Sequence, residues 1–204
     1  MTMKLYYCPQ TRSFTSLWMM EEAGQPYDLV RVDIRAPGHP TDEYKKINPM
    51  GKVAGFQDGN GIGFGETAAI LLYVADKFPQ TKLSPPPTDP RRGRFLQWLM
   101  FSPSTIEPVM MEKRSGATPN TISAGWGDYD RAMSALEHAI KPGPYLFGND
   151  FTAADLFIAS SLSFGMRFGM VDKRPAFVEF AERAAARPSF KRAGEIEARE
   201  AAKK

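Results

Sequence analysis

"PQTKLSPPPTDP", residues 79–90, divides the chain. Five prolines in these positions leave no periodicity. Proline fixes φ and has no amide proton to donate, so the stretch can continue neither a helix nor a central strand and reads as an interdomain linker. Patterning differs on its two sides. Before it, Met3 to Tyr7 reads as a short strand, Phe14, Leu17, Trp18 and Glu21 have helical spacing closed by Gly24, and Tyr27 to Asp33 alternates as a second strand. A polar connection over 35–50 leads to a third strand, Val53 to Gln57. Asp58-Gly59-Asn60-Gly61 then signals a hairpin, with Ile62 to Phe64 returning antiparallel. Thr67 to Lys77 completes this half as a helix with Ile70, Leu71 and Val74 on one face. After the linker no strand pattern appears. Helices are predicted over 91–111, 124–141, 152–164, 175–187 and 189–203, with Pro103 and Pro108 kinking or breaking the first. The expectation is an α/β domain over 1–79, a linker over 80–90 and an all-α domain over 91–204.

Composition narrows the function classes. The 204 residues are 43% hydrophobic and 24% charged, ordinary for a globular protein with a sizeable core. No apolar run approaches the ~18 residues of a membrane span, so no membrane association is expected. Met1 to Lys4 runs straight into Leu5-Tyr6-Tyr7 without the basic and apolar parts of a signal peptide. The net charge of +3 is spread among acids, which argues against a nucleic-acid partner but suits a small anion. Cys8 is the single cysteine, so neither an internal disulfide nor a Cys-rich metal site is expected, and the cytoplasm is the default compartment.

Two stretches carry candidate chemistry. In "FGETAAILLYVADKF", 64–78, Glu66-Thr67 falls at a strand-to-helix junction. Thr67 can cap the helix, the free N–H groups there attract an anion, and Glu66 could hold an ammonium beside it. A capped helix that binds nothing is the competing reading. In "YYCPQTRSF", 6–14, Tyr7, Cys8, Thr11 and Ser13 compete as the group that handles a thiol. Cys8 and Tyr7 also read as core, and Thr11 or Ser13 as an ordinary cap. A third stretch, "GNDFTAADLFIASSL" at 148–162, holds Thr152-x-x-Asp155 with the shape of a capping box, which is a folding device.

Read together, "LYYCPQTRS", "EEAGQPYDLVRVD", "INPMGKV", "GETAAILLYVADKFP", the proline linker, "FTAADLFIASSL" and "ARPSFKRA" resemble the cytosolic glutathione transferase family, of a bacterial type. They keep the family order over nearly the whole chain. The resemblance implies a thioredoxin-like N-terminal domain that binds glutathione as co-substrate, an all-helical C-terminal domain that shapes the electrophile pocket, a two-fold homodimer, and a detoxifying transferase without metal. It implies that Glu66 and Thr67 hold the γ-glutamyl end, that Val53 pairs its backbone with the cysteinyl part, and that Lys52 meets the glycine carboxylate. The family normally has a cis-proline directly after this valine. Here Ala54 follows, and a cis Val53–Ala54 bond is expected because Val53 needs that backbone turn to face the ligand.

The resemblance orders the thiol-handling candidates as Thr11, Ser13, Cys8, Tyr7. Thr11 follows Pro9 at the spacing of the serine-using classes. Arg12 stands where the bacterial cysteine-using class places its cysteine, which argues against mixed-disulfide chemistry at that position. Cys8-Pro9-Gln10-Thr11 is similar to a glutaredoxin motif that has lost its second cysteine. A glutathione-dependent disulfide reductase or peroxidase using Cys8 is therefore the chemical rival, and a non-catalytic glutathione-binding protein the other. The electrophile pocket is expected from Trp98, Met100, Phe101, Met110 and Met111, in a chain with eleven methionines.

Overall fold

The computed structural model describes residues 2–203. Alternation in Met3–Tyr7 (β1) buries Met3, Leu5 and Tyr7 on one face. A parallel neighbour needs a crossover, and Phe14–Ala23 (α1) supplies it before Tyr27–Arg31 (β2), which pairs parallel with β1. Gly24, in the left-handed region at φ 63, ends α1 where a side chain would be strained. Gly55–Gln57 (β3) runs antiparallel to β1 with Tyr6 opposite Gly55. Gly63–Phe64 (β4) returns against β3, and the sheet order is β2-β1-β3-β4. The Asp58 carboxylate closes the hairpin by accepting the amides of Asn60 and Ile62 and the Tyr73 hydroxyl, which hold its pKa below the ordinary aspartate value. Thr67–Lys77 (α3) then packs on α1 and buries Ile70, Leu71 and Val74.

The predicted elements shift in three places. A one-turn helix, Asp42–Lys45 (α2), capped by Thr41, interrupts the polar connection. The second strand ends at Arg31 and the third begins only at Gly55, which leaves Val53 and Ala54 in the preceding loop. The proline stretch is partly packed: Leu83 is buried and its carbonyl accepts the Ala153 amide.

The second half is helical: Arg92–Phe101 (α4), Glu107–Ser115 (α5), Tyr129–Ile140 (α6), Ala153–Arg167 (α7), Pro175–Ala185 (α8) and Pro188–Ala202 (α9). Pro103 lies in a wide turn of π type, Ser102–Ile106, which carries α4 into α5. α7 is the buried axis of this half. Asp155, in its first turn, accepts the Thr152 amide and hydroxyl and the Leu146 amide at 2.7–2.8 Å, so the expected capping box also ties down the preceding loop.

Two units result. Lys82–Arg187 forms one, and the chain up to Thr81 together with Pro188 onward forms the other. α9 thus joins the sheet-containing unit, where the sequence reading put it at the end of the helical domain. Its Phe190 ring meets Phe14 and Trp18 edge-on, and Ser189 accepts the Trp18 indole N–H. This explains why α1 is buried nearly all round. Among the described residues no helix is long and apolar enough to cross a membrane.

Candidate active site

The loop between β1 and α1 folds on its own hydroxyls. Thr11 Oγ1 donates to the Cys8 carbonyl at 2.7 Å, and Ser13 Oγ lies 3.0 Å from the same oxygen. The two hydroxyls are 2.8 Å apart, and Ser13 Oγ also accepts the Cys8 amide. Two hydroxyl protons face three short contacts, so one contact carries no proton. If Ser13 serves the Cys8 carbonyl, the Thr11 proton is released to a ligand. Ser13 is fully buried and Thr11 half-buried, which makes Thr11 the reachable donor. Thr11 Oγ1 accepts the Ser13 amide at 3.2 Å, as a cap side chain does, but Ser13 is not an ordinary cap. Ser13 holds the N-cap position of α1 with helical backbone and no side-chain cap bond.

The other two candidates are core residues. Tyr7 is fully buried, and its hydroxyl has no hydrogen-bond partner among the described residues. Cys8 is 1% exposed, and its Sγ accepts from Arg35 Nη1 at 3.2 Å.

Across the sheet, the register that sets Tyr6 opposite Gly55 brings this loop beside residues 52–54. The Val53–Ala54 bond is cis. Lys52 is exposed, Val53 is half-buried, and the Lys52 carbonyl is held by the Tyr44 hydroxyl at 2.6 Å and Asn48 Nδ2 at 2.7 Å. Burial raises the Tyr44 pKa above the ordinary phenol value, so the hydroxyl stays a donor. Asn48 Oδ1 accepts the Met50 amide, and Gly51, at φ 66, lies so close to Pro40 that a Cβ there would be 2.5 Å from its Cγ.

The second half of this edge is the Glu66–Thr67 junction. Asn48 also reaches it: a Cβ on Gly65 would lie 2.6 Å from Asn48 Nδ2, so only glycine permits this approach. Thr67 is the first residue of α3, not its cap. Glu66 holds the cap position at φ 65 with no side-chain cap bond. A non-glycine residue there costs about 1–3 kcal/mol and persists only where its surroundings impose it. The carboxylate is exposed and meets no partner among the described residues, beside the uncapped amides of the first turn. That edge can take an anion on the helix N-terminus and a cation on Glu66.

Asn48 thus links the Lys52 carbonyl to Gly65, next to Glu66 and Thr67, while the Thr11–Ser13 loop follows β1. Asn48 and Tyr44 order the Lys52 carbonyl, and nothing local in the sequence assigns either of them that role. In the helical unit, Met100 and Met111 are 38% and 49% exposed, while Trp98 and Met110 are buried. A groove of about 800 Å³ in the sheet-containing unit is lined by Lys4, Tyr6 and Tyr44 among others, and none of Thr11, Ser13, Lys52, Val53, Glu66 and Thr67 lines it.

The chain matches known proteins along most of its length. Residues 1–76 match the family described as glutathione S-transferase, N-terminal domain, and residues 119–183 the corresponding C-terminal domain. Glutathione S-transferase 1 of Dianthus caryophyllus is 30% identical over 157 residues, covering 70% of each chain. The solved structure of a sphingomonad glutathione S-transferase complexed with glutathione is 26% identical with a TM-score of 0.79, covering 96% of this chain and 98% of that one. The disulfide-bond oxidoreductase YfcG of Escherichia coli (strain K12) is 27% identical over 164 residues, covering 74% of this chain and 75% of the relative.

Proposed function

The chain belongs to the glutathione S-transferase family, and on that premise we propose that it binds glutathione and delivers its thiolate to small hydrophobic electrophiles. The observation that carries the reading is Glu66, held at φ 65 at the uncapped start of α3. Its carboxylate pairs with the γ-glutamyl ammonium, and the first-turn amides of α3, with the Thr67 hydroxyl, take the carboxylate on the same carbon. Val53 offers its backbone to the cysteinyl part, and the Lys52 ammonium meets the glycine carboxylate.

Thr11 then donates its proton to the glutathione sulfur while Ser13 keeps the Cys8 carbonyl satisfied. A hydrogen bond to the charged form lowers the thiol pKa and raises the thiolate fraction. The thiol proton goes to solvent. The sulfur lone pair forms the new C–S bond as the leaving group departs with its own pair. This chemistry calls on no metal. The reading extends to a two-fold homodimer acting in the cytoplasm.

Calorimetry on Glu66→Ala tests the site. Affinity for glutathione should fall about tenfold or more, because a hydrogen bond to a charged group contributes about 1.5–3 kcal/mol. Unchanged affinity would remove the site assignment. Turnover of an aromatic halide, run beside a disulfide substrate, tests the reaction. The rival reductase gains from the Arg35 contact to Cys8 Sγ and loses from the burial of that sulfur. Conjugation that survives in Cys8→Ser supports the transferase. Its loss, with a mixed disulfide detected by mass in the wild type, would establish the reductase.

A further inference from the structure

Gln10, next to Thr11, is the second non-glycine residue of this unit at positive φ, 60. Its amide donates to Glu197 Oε1 of α9 at 2.7 Å. On the other side Arg35 reaches across the loop, with Nη1 3.2 Å from Cys8 Sγ and 3.5 Å from the Pro9 carbonyl, and Nη2 3.5 Å from the Gln10 carbonyl. Residues 8–10 are therefore gripped from both sides by opposite charges. The gripped backbone is the one that sets where the Thr11 hydroxyl points.

Both grips come from distant parts of the chain. Arg35 follows β2, and Glu197 lies 187 residues beyond Gln10. A glutamine at positive φ is strained and persists where its surroundings hold it, and Glu197 bonds its amide directly. Glu197 is costly to place there. It is half-buried, its Oε2 is buried with no partner among the described residues, and burial raises its pKa. This carboxylate bonds the amide of a strained residue and so holds that residue's geometry.

We propose that Glu197 and Arg35 are positioning residues for the thiol-activating step: by holding the Gln10 turn they aim the Thr11 hydroxyl at the sulfur of bound glutathione. The inference rests on the function proposed above. Neither residue touches the sulfur; both act through residues 8–11. Without Glu197, Gln10 relaxes to negative φ and the Thr11 hydroxyl is no longer held within reach of the sulfur.

The test is the pKa of enzyme-bound glutathione, followed by thiolate absorbance across pH, with steady-state kinetics alongside. Glu197→Ala should raise the bound-thiol pKa by about one unit and lower kcat about tenfold at neutral pH, the two being the same free energy. KM for glutathione should stay within about twofold, since the residues that hold the tripeptide are untouched. Glu197→Gln keeps the accepting Oε1 and should restore the wild-type pKa. Should Glu197→Ala not fold, Arg35→Met carries the same expectation from the other side of the loop. A bound-thiol pKa unmoved in the variant that folds, even with a lower melting temperature, would overturn the inference and leave α9 with packing alone. A wild type that shows no bound thiolate would instead overturn the transferase reading, and this inference with it.

Discussion

Asn48 shows how much one side chain decides here. It donates to the Lys52 carbonyl, accepts the Met50 amide and lies against Gly65, so a single amide links the two halves of the edge proposed to hold glutathione. Asn48→Ala leaves the Tyr44 hydroxyl on the Lys52 carbonyl and opens a gap beside Gly65. The expected outcome in steady-state kinetics is a KM for glutathione raised about tenfold, the scale of one lost buried hydrogen bond, with kcat nearly unchanged. A fall in kcat at constant KM would place Asn48 in the chemistry instead. The two hydroxyls of the β1–α1 loop divide in the same way. Thr11→Ala should raise the pKa of the bound thiol. Ser13→Ala orphans the buried Cys8 amide and should lower stability by about 1–3 kcal/mol with little effect on that pKa. Titration of the bound thiol and chemical denaturation separate the two; equal pKa shifts in both would make the pair act as one donor.

Among the elements, α7 carries a pH dependence of its own. Burial raises the Asp155 carboxyl to about 6 against the pull of its three donors. In an unfolded chain aspartate titrates near about 3.9. Between these values the native state holds more protons, so the contribution of Asp155 is fully present below the lower value and is lost as pH rises through the upper one. The loss is on the order of 3 kcal/mol. Asp155→Asn breaks the cap yet removes this slope. Urea unfolding from pH 4 to 7 should therefore show wild type more stable at the acid end, and the gap narrowing by that order as pH rises. A constant gap would mean the three donors, not burial, set the carboxyl. At the same scale, the turn of π type at Ser102–Ile106 shows a proline accommodated by widening a helix.

For the whole molecule, the main event is the return of the chain end. α9 covers α1, and Arg31 of β2 donates to the carbonyls of Glu200 and Lys203 near its C-terminus. Phe190, with its ring 4.9 Å from Trp18 and 5.5 Å from Phe14, is the centre of that seam. Phe190→Ala should cost about 2–3 kcal/mol, the lower end for removing a large aromatic because the ring is only half-buried. The tryptophan emission should shift to the red as Trp18 is uncovered. Thermal unfolding followed by fluorescence checks both, and an unchanged melt would mean α9 contributes little to this unit.

Local patterning determined a good part of this protein. Gly24, the Asp58–Gly61 turn, the 67–77 helix and the Thr152–Asp155 box were legible because each depends on neighbours in sequence: a left-handed φ, a turn, a period, a cap. The linker was legible as a break, because proline cannot extend either regular structure, but not as the packed segment that Leu83 makes of it. The Glu66–Thr67 junction was readable as a place for charge, though not its backbone, since glutamate by itself disfavours the φ of 65 it adopts. Tertiary structure alone decided that Ser13 is buried and Thr11 reachable, that α9 belongs with the sheet, and that Glu197 and Arg35 grip the loop after β1. Those outcomes depend on contacts between residues far apart in the chain, where spacing carries no information and burial decides which polar groups remain free to act.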